Sequence, residues 1–148
     1  MTDQAHFRRL ERMYDASPIN GYFLPKLKVD EGYATIDMTV EPKFFHSANA
    51  VHGAVYFKLL DDAAWFAANS LETEVFMLTN AFTTYITRPI NHGVMTAVGE
   101  VLHAGRTQII AESVIFDEDE EEIARANGIF MRSTMKLSDT EGYGKETP

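Results

Sequence analysis

The chain contains no cysteine, which excludes a disulfide framework, a thiolate zinc site and a cysteine nucleophile. It also lacks any uninterrupted apolar run of the ~18 residues that a membrane helix needs. Near the start, Arg8, Arg9, Glu11 and Arg12 interrupt the apolar stretch a secretory leader would require. A soluble, cytoplasmic protein without membrane association is therefore expected. Positive charge is scarce: 13 Lys and Arg stand against 22 Asp and Glu, a net charge of -9. That balance argues against a nucleic-acid partner, because phosphate binding needs clustered cations. No serine sits in a GxSxG elbow and no glycine-rich phosphate loop follows a strand. The five histidines show neither HExxH nor a paired spacing on one helix, so no metal site is expected.

What is present fits one domain, expected over residues 1–137 of the 148, with roughly 70% of its unfolded surface buried on folding. Asp3 to Tyr14 carries Phe7, Leu10 and Tyr14 at helical spacing. Tyr22 to Val29 and Tyr33 to Val40 alternate around the turn Asp30-Glu31-Gly32, which predicts a hairpin. A long helix follows from His52-Gly53 to about Leu71, and then four strands: Val75 to Thr87, Val94 to His103, Thr107 to Phe116 and Ile123 to Leu137. Helix, two strands, helix, four strands suits an α+β fold in which an antiparallel sheet curls around one central helix. Gly128, inside the last strand, marks a bulge or a close backbone contact. The acidic run Asp117 to Glu122 reads as a solvated hairpin tip. Residues 138–148, rich in charge, glycine and proline, read as a flexible tail.

The chemistry concentrates on the long helix. Its start at Gly53 offers unpaired backbone N–H groups and a positive dipole end, a ready site for a developing oxyanion. On the helical wheel Tyr56, Leu59, Leu60, Ala63, Ala67 and Leu71 form the apolar face, with Asp61 and Asp62 on opposite borders. Periodicity does not choose between the two acids. Asp62 follows Lys58 by four residues and can pair with it on the helix surface. Asp61 has Phe57, Ala64, Trp65 and Ala68 for neighbours, a setting that raises a carboxylate's pKa by desolvation.

The sequence His52-Gly53-Ala54, Leu60-Asp61, Ala63 and Ala67, then Phe82 through Arg88-Pro89, then Gly105-Arg106-Thr107, resembles the hotdog-fold acyl-CoA thioesterases. The similarity is to the phenylacetic-acid-degradation type, within the 4-hydroxybenzoyl-CoA thioesterase superfamily. Asp30-Glu31-Gly32-Tyr33-Ala34 and Met38-Thr39-Val40 extend it, so that it covers roughly residues 5 to 135 in order. The resemblance implies a hotdog fold and hydrolysis of an acyl-CoA to a free acid and coenzyme A. Coenzyme A enters only as part of the substrate, and no other cofactor is implied. It further implies that the Gly53 N–H polarises the thioester carbonyl while Asp61 activates water or attacks directly. The two would come from different subunits, making a homodimer the catalytic unit, with two dimers pairing helix-side or sheet-side.

Two positions depart from the family pattern and a third follows it. His46 stands where an asparagine usually orders the site, and an imidazole can also donate a hydrogen bond. Ala54 replaces a second glycine; it keeps a backbone N–H, while its methyl narrows the thioester entrance. Thr79, by its register with Pro89, occupies the position of a hydroxyl that helps hold the water in some members. His52 is read as a helix-start residue that fixes the loop rather than as a general base. Arg88, Arg106 and Arg125 are the candidates for coenzyme A phosphates, with Arg106 favoured. The aromatic residues Tyr56, Phe57, Trp65, Phe82 and Tyr85 suggest an aryl or medium-chain acyl group. Two alternatives stay open: a hotdog hydratase or dehydratase, and a non-catalytic acyl-CoA-binding module.

Overall fold

The computed structural model describes residues 4–145. Helix α1 (Gln4–Ala16) and the short α2 (Asn20–Phe23) precede a hairpin of β1 (Lys26–Asp30) and β2 (Tyr33–Thr39). The long α3 (Gly53–Asn69) follows, and then β3 (Val75–Ile86), β4 (Val94–Ala104), β5 (Gln108–Phe116) and β6 (Glu122–Lys136). All six strands form one antiparallel sheet in the order β1-β2-β4-β5-β6-β3. The sheet curls around α3, as the hotdog architecture requires.

Side-chain size explains how the sheet receives the helix. In β4 the inward positions taper from Met95 through Ala97 to Gly99, all buried. A Cβ on Gly99 would stand 2.1 Å from the Ala63 carbonyl oxygen, so only glycine lets the α3 backbone lie this close. Ser113, opposite Gly99 on β5, donates to the Leu60 carbonyl at 2.7 Å. The second half of α3 is buried on all sides, from Ala63 through Asn69, which is the behaviour of a core helix rather than a surface one.

Three sequence expectations differ from the structure. Tyr22 and Phe23 belong to a helical turn, not to the first strand, which starts at Lys26. Leu24, at φ 52, closes that turn in the left-handed region with its N–H on the Asn20 carbonyl, and Pro25 then keeps Leu24 from continuing a helix. The stretch beginning at Ser138 is folded back through residue 145 rather than loose: the Arg12 guanidinium donates to the Gly142 carbonyl, and Tyr143 meets buried His6 at 2.7 Å. Aromatic packing and backbone contacts on α1 outweigh its polar composition. Leu71 is half-buried, because α3 has ended before it at Asn69. Residues 146–148, and Asp3 at the expected start of α1, lie outside the described residues.

The expected close contact at Gly128 is present: the Phe82 ring lies over it, and a Cβ there would come within 2.3 Å of that ring. The turn between β1 and β2 uses Gly32 at φ 65, a left-handed value that glycine adopts freely.

Candidate active site

α3 starts where His52 caps it. Its backbone is extended, and its Nδ1 accepts from the Ala54 N–H at 2.9 Å. His52 thus fixes the helix start, and in doing so it takes the N–H that Ala54 had been expected to offer a ligand. The Gly53 N–H is left with no acceptor among the described residues, as the first turn of a helix dictates. It borders a cleft of about 300 Å³ that His46, Ile86 and Arg88 also line. His46 Nδ1 accepts from the Ala48 N–H at 3.0 Å, so in the neutral ring Nε2 carries the proton and is a donor. Arg88 pairs with Glu121 at 3.2 Å, and its carbonyl accepts from the Tyr56 hydroxyl at 2.8 Å.

Two turns along the helix the environment changes. Trp65 donates its indole N–H to the Met77 carbonyl at 2.7 Å, pinning the start of β3 to α3. Two residues on, and so on the same face of β3, the Thr79 hydroxyl donates to Asp61 at 2.9 Å. The pairing of β3 with β6 slips just after Thr79, between Thr79 and Ala81, and a bulge of this kind re-aims side chains. Burial pushes the Asp61 carboxyl up to about 6; the Thr79 hydroxyl opposes the shift, the Asp62 charge adds to it and Lys58 opposes it.

Asp62 has two partners, both on one carboxylate oxygen. Lys58 reaches it at 2.6 Å and the Tyr14 hydroxyl donates to it at 2.7 Å. Burial, with the neighbouring Asp62 charge, raises the Tyr14 phenol, which therefore stays protonated as a donor. The choice that periodicity left open is made by α1, which brings Tyr14 to one acid and not to the other.

The structure thus gathers Gly53, His46, His52 and Arg88 at one end of α3, and Asp61 and Thr79 at its middle. The His46 and His52 rings lie 6.4 Å apart. Arg106 belongs to neither group. It lies exposed on the β4–β5 turn, where its carbonyl accepts from Arg132. Arg125 is paired with Glu122 at 2.5 Å. No group of three or more His, Cys, Asp or Glu suited to a metal ion occurs among the described residues, and none of the described helices is long and apolar enough to cross a membrane.

Residues 48–124, just over half the chain, match the family model of the thioesterase superfamily. The chain belongs to that superfamily. It is 28% identical over 103 residues to the acyl-coenzyme A thioesterase PaaI of Escherichia coli K12, covering 69% of this chain and 72% of that one. The solved structure of the E. coli PaaI protein from the phenylacetic acid degradation operon superposes with a TM-score of 0.83 at 22% identity, over 92% of this chain and 99% of that one. A thioesterase of Haemophilus influenzae superposes at 0.73 and 15% identity, over 81% and 85%. The fold is the hotdog fold, and the chain is a thioester hydrolase.

Sequence reasoning missed two parts of the hydrolase. Tyr14 showed only as an apolar helix position, although its hydroxyl crosses to Asp62. Gly99 passed unnoticed; its signal was the falling side-chain size Met95, Ala97, Gly99 opposite the alanines Ala63 and Ala64.

Proposed function

We propose that this thioester hydrolase cleaves acyl-CoA with water at a site that two protomers complete together. The observation that carries the reading is a separation. Gly53 and Asp61 stand eight residues apart on one straight helix, about 12 Å along its axis. A reacting carbonyl must lie roughly 3 Å from the Gly53 N–H and roughly 3 Å from a water that Asp61 in turn holds, a span well short of that separation. Within one chain no carbonyl can do so; across a twofold axis, the Gly53 end of one α3 can meet the Asp61 of the other.

The two sheet edges support that assembly. At β1, Glu11 accepts the Val29 N–H and Arg8 donates to the Val29 carbonyl, so α1 covers the edge. At β3 the backbone of Val75 and Met77 is held by Glu72, Asn69 and Trp65, but the edge beyond them has no such cover among the described residues, and Leu78 is 46%, Tyr85 58% and Ile86 46% exposed. A long unprotected edge of this kind invites pairing, and a second copy gives a closed, isologous interface.

In the proposed reaction ionised Asp61 takes a proton from water as the water oxygen adds to the thioester carbon. Thr79, whose hydroxyl donates to Asp61, holds the carboxylate in place. The Gly53 N–H of the other protomer donates to the developing oxyanion, a contribution of about 3–4 kcal/mol for one such donor. The C–S bond then breaks, and the coenzyme A sulfur leaves with the proton from Asp61. General-base assistance of this kind contributes about 10²–10⁴-fold. His46, with its Nε2–H at the same cleft, orients the carbonyl. Among the arginines considered, Arg106 has no acidic partner among the described residues, whereas Arg88 and Arg125 do; it is the one assigned to a coenzyme A phosphate. The reaction belongs in the cytoplasm, where acyl-CoA is made and used.

Incubating the protein with a panel of acyl-CoAs and following free thiol tests the reading. Thiol release by a species that light scattering shows to be a dimer or larger supports it. Binding of acyl-CoA with no thiol release would leave a binding module, and an active monomer at low micromolar concentration would end the shared-site model.

A further inference from the structure

Asp61 and Thr79 line a groove of about 300 Å³ between the α1–α2 segment and β3. Met13 and Ile19 supply apolar wall on one side, and Trp65, Phe76 and Leu78 on the other. A second cavity of about 440 Å³ lies beyond it, bordered by Ala16, Pro18, Thr140 and Glu141. Met13, Ser17 and Phe76 line both spaces, and so stand between them. Both large side chains are held. The Thr140 hydroxyl lies 3.3 Å from the Met13 sulfur, and the Phe76 ring packs on Trp65 with centroids 4.7 Å apart.

We propose that Met13 and Phe76 form a partition that sets the length of acyl group the enzyme accepts. The near groove takes the acyl portion of a thioester whose carbonyl lies at Asp61, and the partition closes its far end. This rests on the hydrolase reading, with Asp61 at the reacting carbon. The occupant follows from the lining: Lys58, Asp62, Tyr14, Ser17 and Asn20 also border the groove, but Lys58, Asp62 and Tyr14 are tied to one another, and Met13, Ile19, Trp65, Phe76 and Leu78 give it hydrocarbon, thioether and arene wall, which suits an acyl chain or a single ring. Each methylene that finds room there tightens binding about fourfold. The gain stops where a chain meets the partition, because a well-packed wall resists extra volume.

The test uses S-(2-oxoalkyl)-CoA ketones, which keep the carbonyl but cannot be hydrolysed, from 2-oxobutyl to 2-oxododecyl. Their affinities for the full-length protein are measured by calorimetry, and thiol release from the matching acyl-CoAs is followed in parallel. In the wild type the gain per methylene stops at an intermediate length. In Met13→Ala and in Phe76→Ala it continues, and the longest ketone binds about tenfold tighter than to the wild type. Met13→Leu, which keeps the volume, keeps the wild-type limit. If either alanine variant fails to fold, Phe76→Leu carries the same expectation at smaller amplitude. An unchanged length limit in folded Met13→Ala and Phe76→Ala overturns the partition, whatever the thiol assay shows. A length limit that moves as stated while no acyl-CoA releases thiol keeps the partition and removes the hydrolase reading. Absence of both ketone binding and thiol release overturns both; thiol release without ketone binding leaves the same length limit to be read from kcat/KM across the acyl-CoA series, where no difference between the wild type and the alanine variants overturns the partition.

Discussion

The two borders of α3 carry adjacent carboxylates in opposite circumstances. On the border facing α1, Asp62 accepts from Lys58 and Tyr14 and serves to dock one helix on another. On the border facing β3, Asp61 is half-buried with one neutral donor, Thr79, and its pKa rises to about 6. The lesson is that charge alone does not make a base. A carboxylate oxygen already occupied by an ammonium and a phenol has no place for a water's proton; a carboxylate that is desolvated and under-paired is a stronger base and, at about 6, stays mostly ionised at neutral pH.

Replacing the acid on each side separates the two roles. Asp61→Asn should lower kcat by about 10²-fold or more with little change in substrate affinity, read by steady-state kinetics and by calorimetry with an uncleavable analogue. Loss of comparable size in Asp62→Asn, with Asp61→Asn fully active, would transfer the role.

Gly53→Val should come next, at about 10²–10³-fold in kcat. Its first added carbon would stand 3.3 Å from the Ile86 side chain, so a branched residue crowds the cleft beside the free N–H. A folded Gly53→Val protein, shown by its thermal melt, that retains full turnover would mean the carbonyl is not held there. Ala54→Gly should change turnover little, since the N–H at 54 is already taken by His52.

The same comparison extends to stability. Burial holds the Asp61 carboxyl at about 6 in the folded chain, above its ordinary 3.8, so between those values the folded state binds more protons than the unfolded one. Stability is therefore lost as pH rises from about 4 through 6. Asp61→Asn should raise stability at pH 7 by up to roughly 3 kcal/mol, and the gain should vanish below about pH 4. Urea melts at the two pH values measure it; a destabilised Asn variant at pH 7 would contradict the desolvated environment.

Smallest is the effect of Asp62 on its neighbour. The wild-type kcat/KM should fall on the acid side near pH 6, tenfold per unit, as Asp61 protonates. Because the Asp62 charge helps to raise Asp61, Asp62→Asn should move that acid limb to lower pH and alter the plateau little. A limb that moves upward would contradict the assignment.

Much of this was legible in the residues. His52-Gly53 before an apolar run marked a helix start, and the cap confirms it. Four alternating segments after Asn69 marked the sheet. The family resemblance put Asp61 and Thr79 together, and in the fold a hydrogen bond joins them. The tail and the first strand misled because polar composition and alternation are local signals. They say nothing of His6 receiving Tyr143, or of the Phe23 ring stacking on Phe44 with centroids 5.1 Å apart.

By itself the sequence determined the first helix, the β1–β2 turn, the long helix and the four strands after it, with the helix-start and carboxylate groups on that helix, because hydrophobic period, glycine placement and helix-start chemistry act over a few neighbouring residues. Only the tertiary structure decided which of two adjacent acids is docked and which is desolvated, since that depends on Tyr14 and Thr79, which lie 48 and 18 residues from their partners in the chain. It also decided that the Gly53 N–H is free while the Ala54 N–H is not, a difference set by the direction of one imidazole ring.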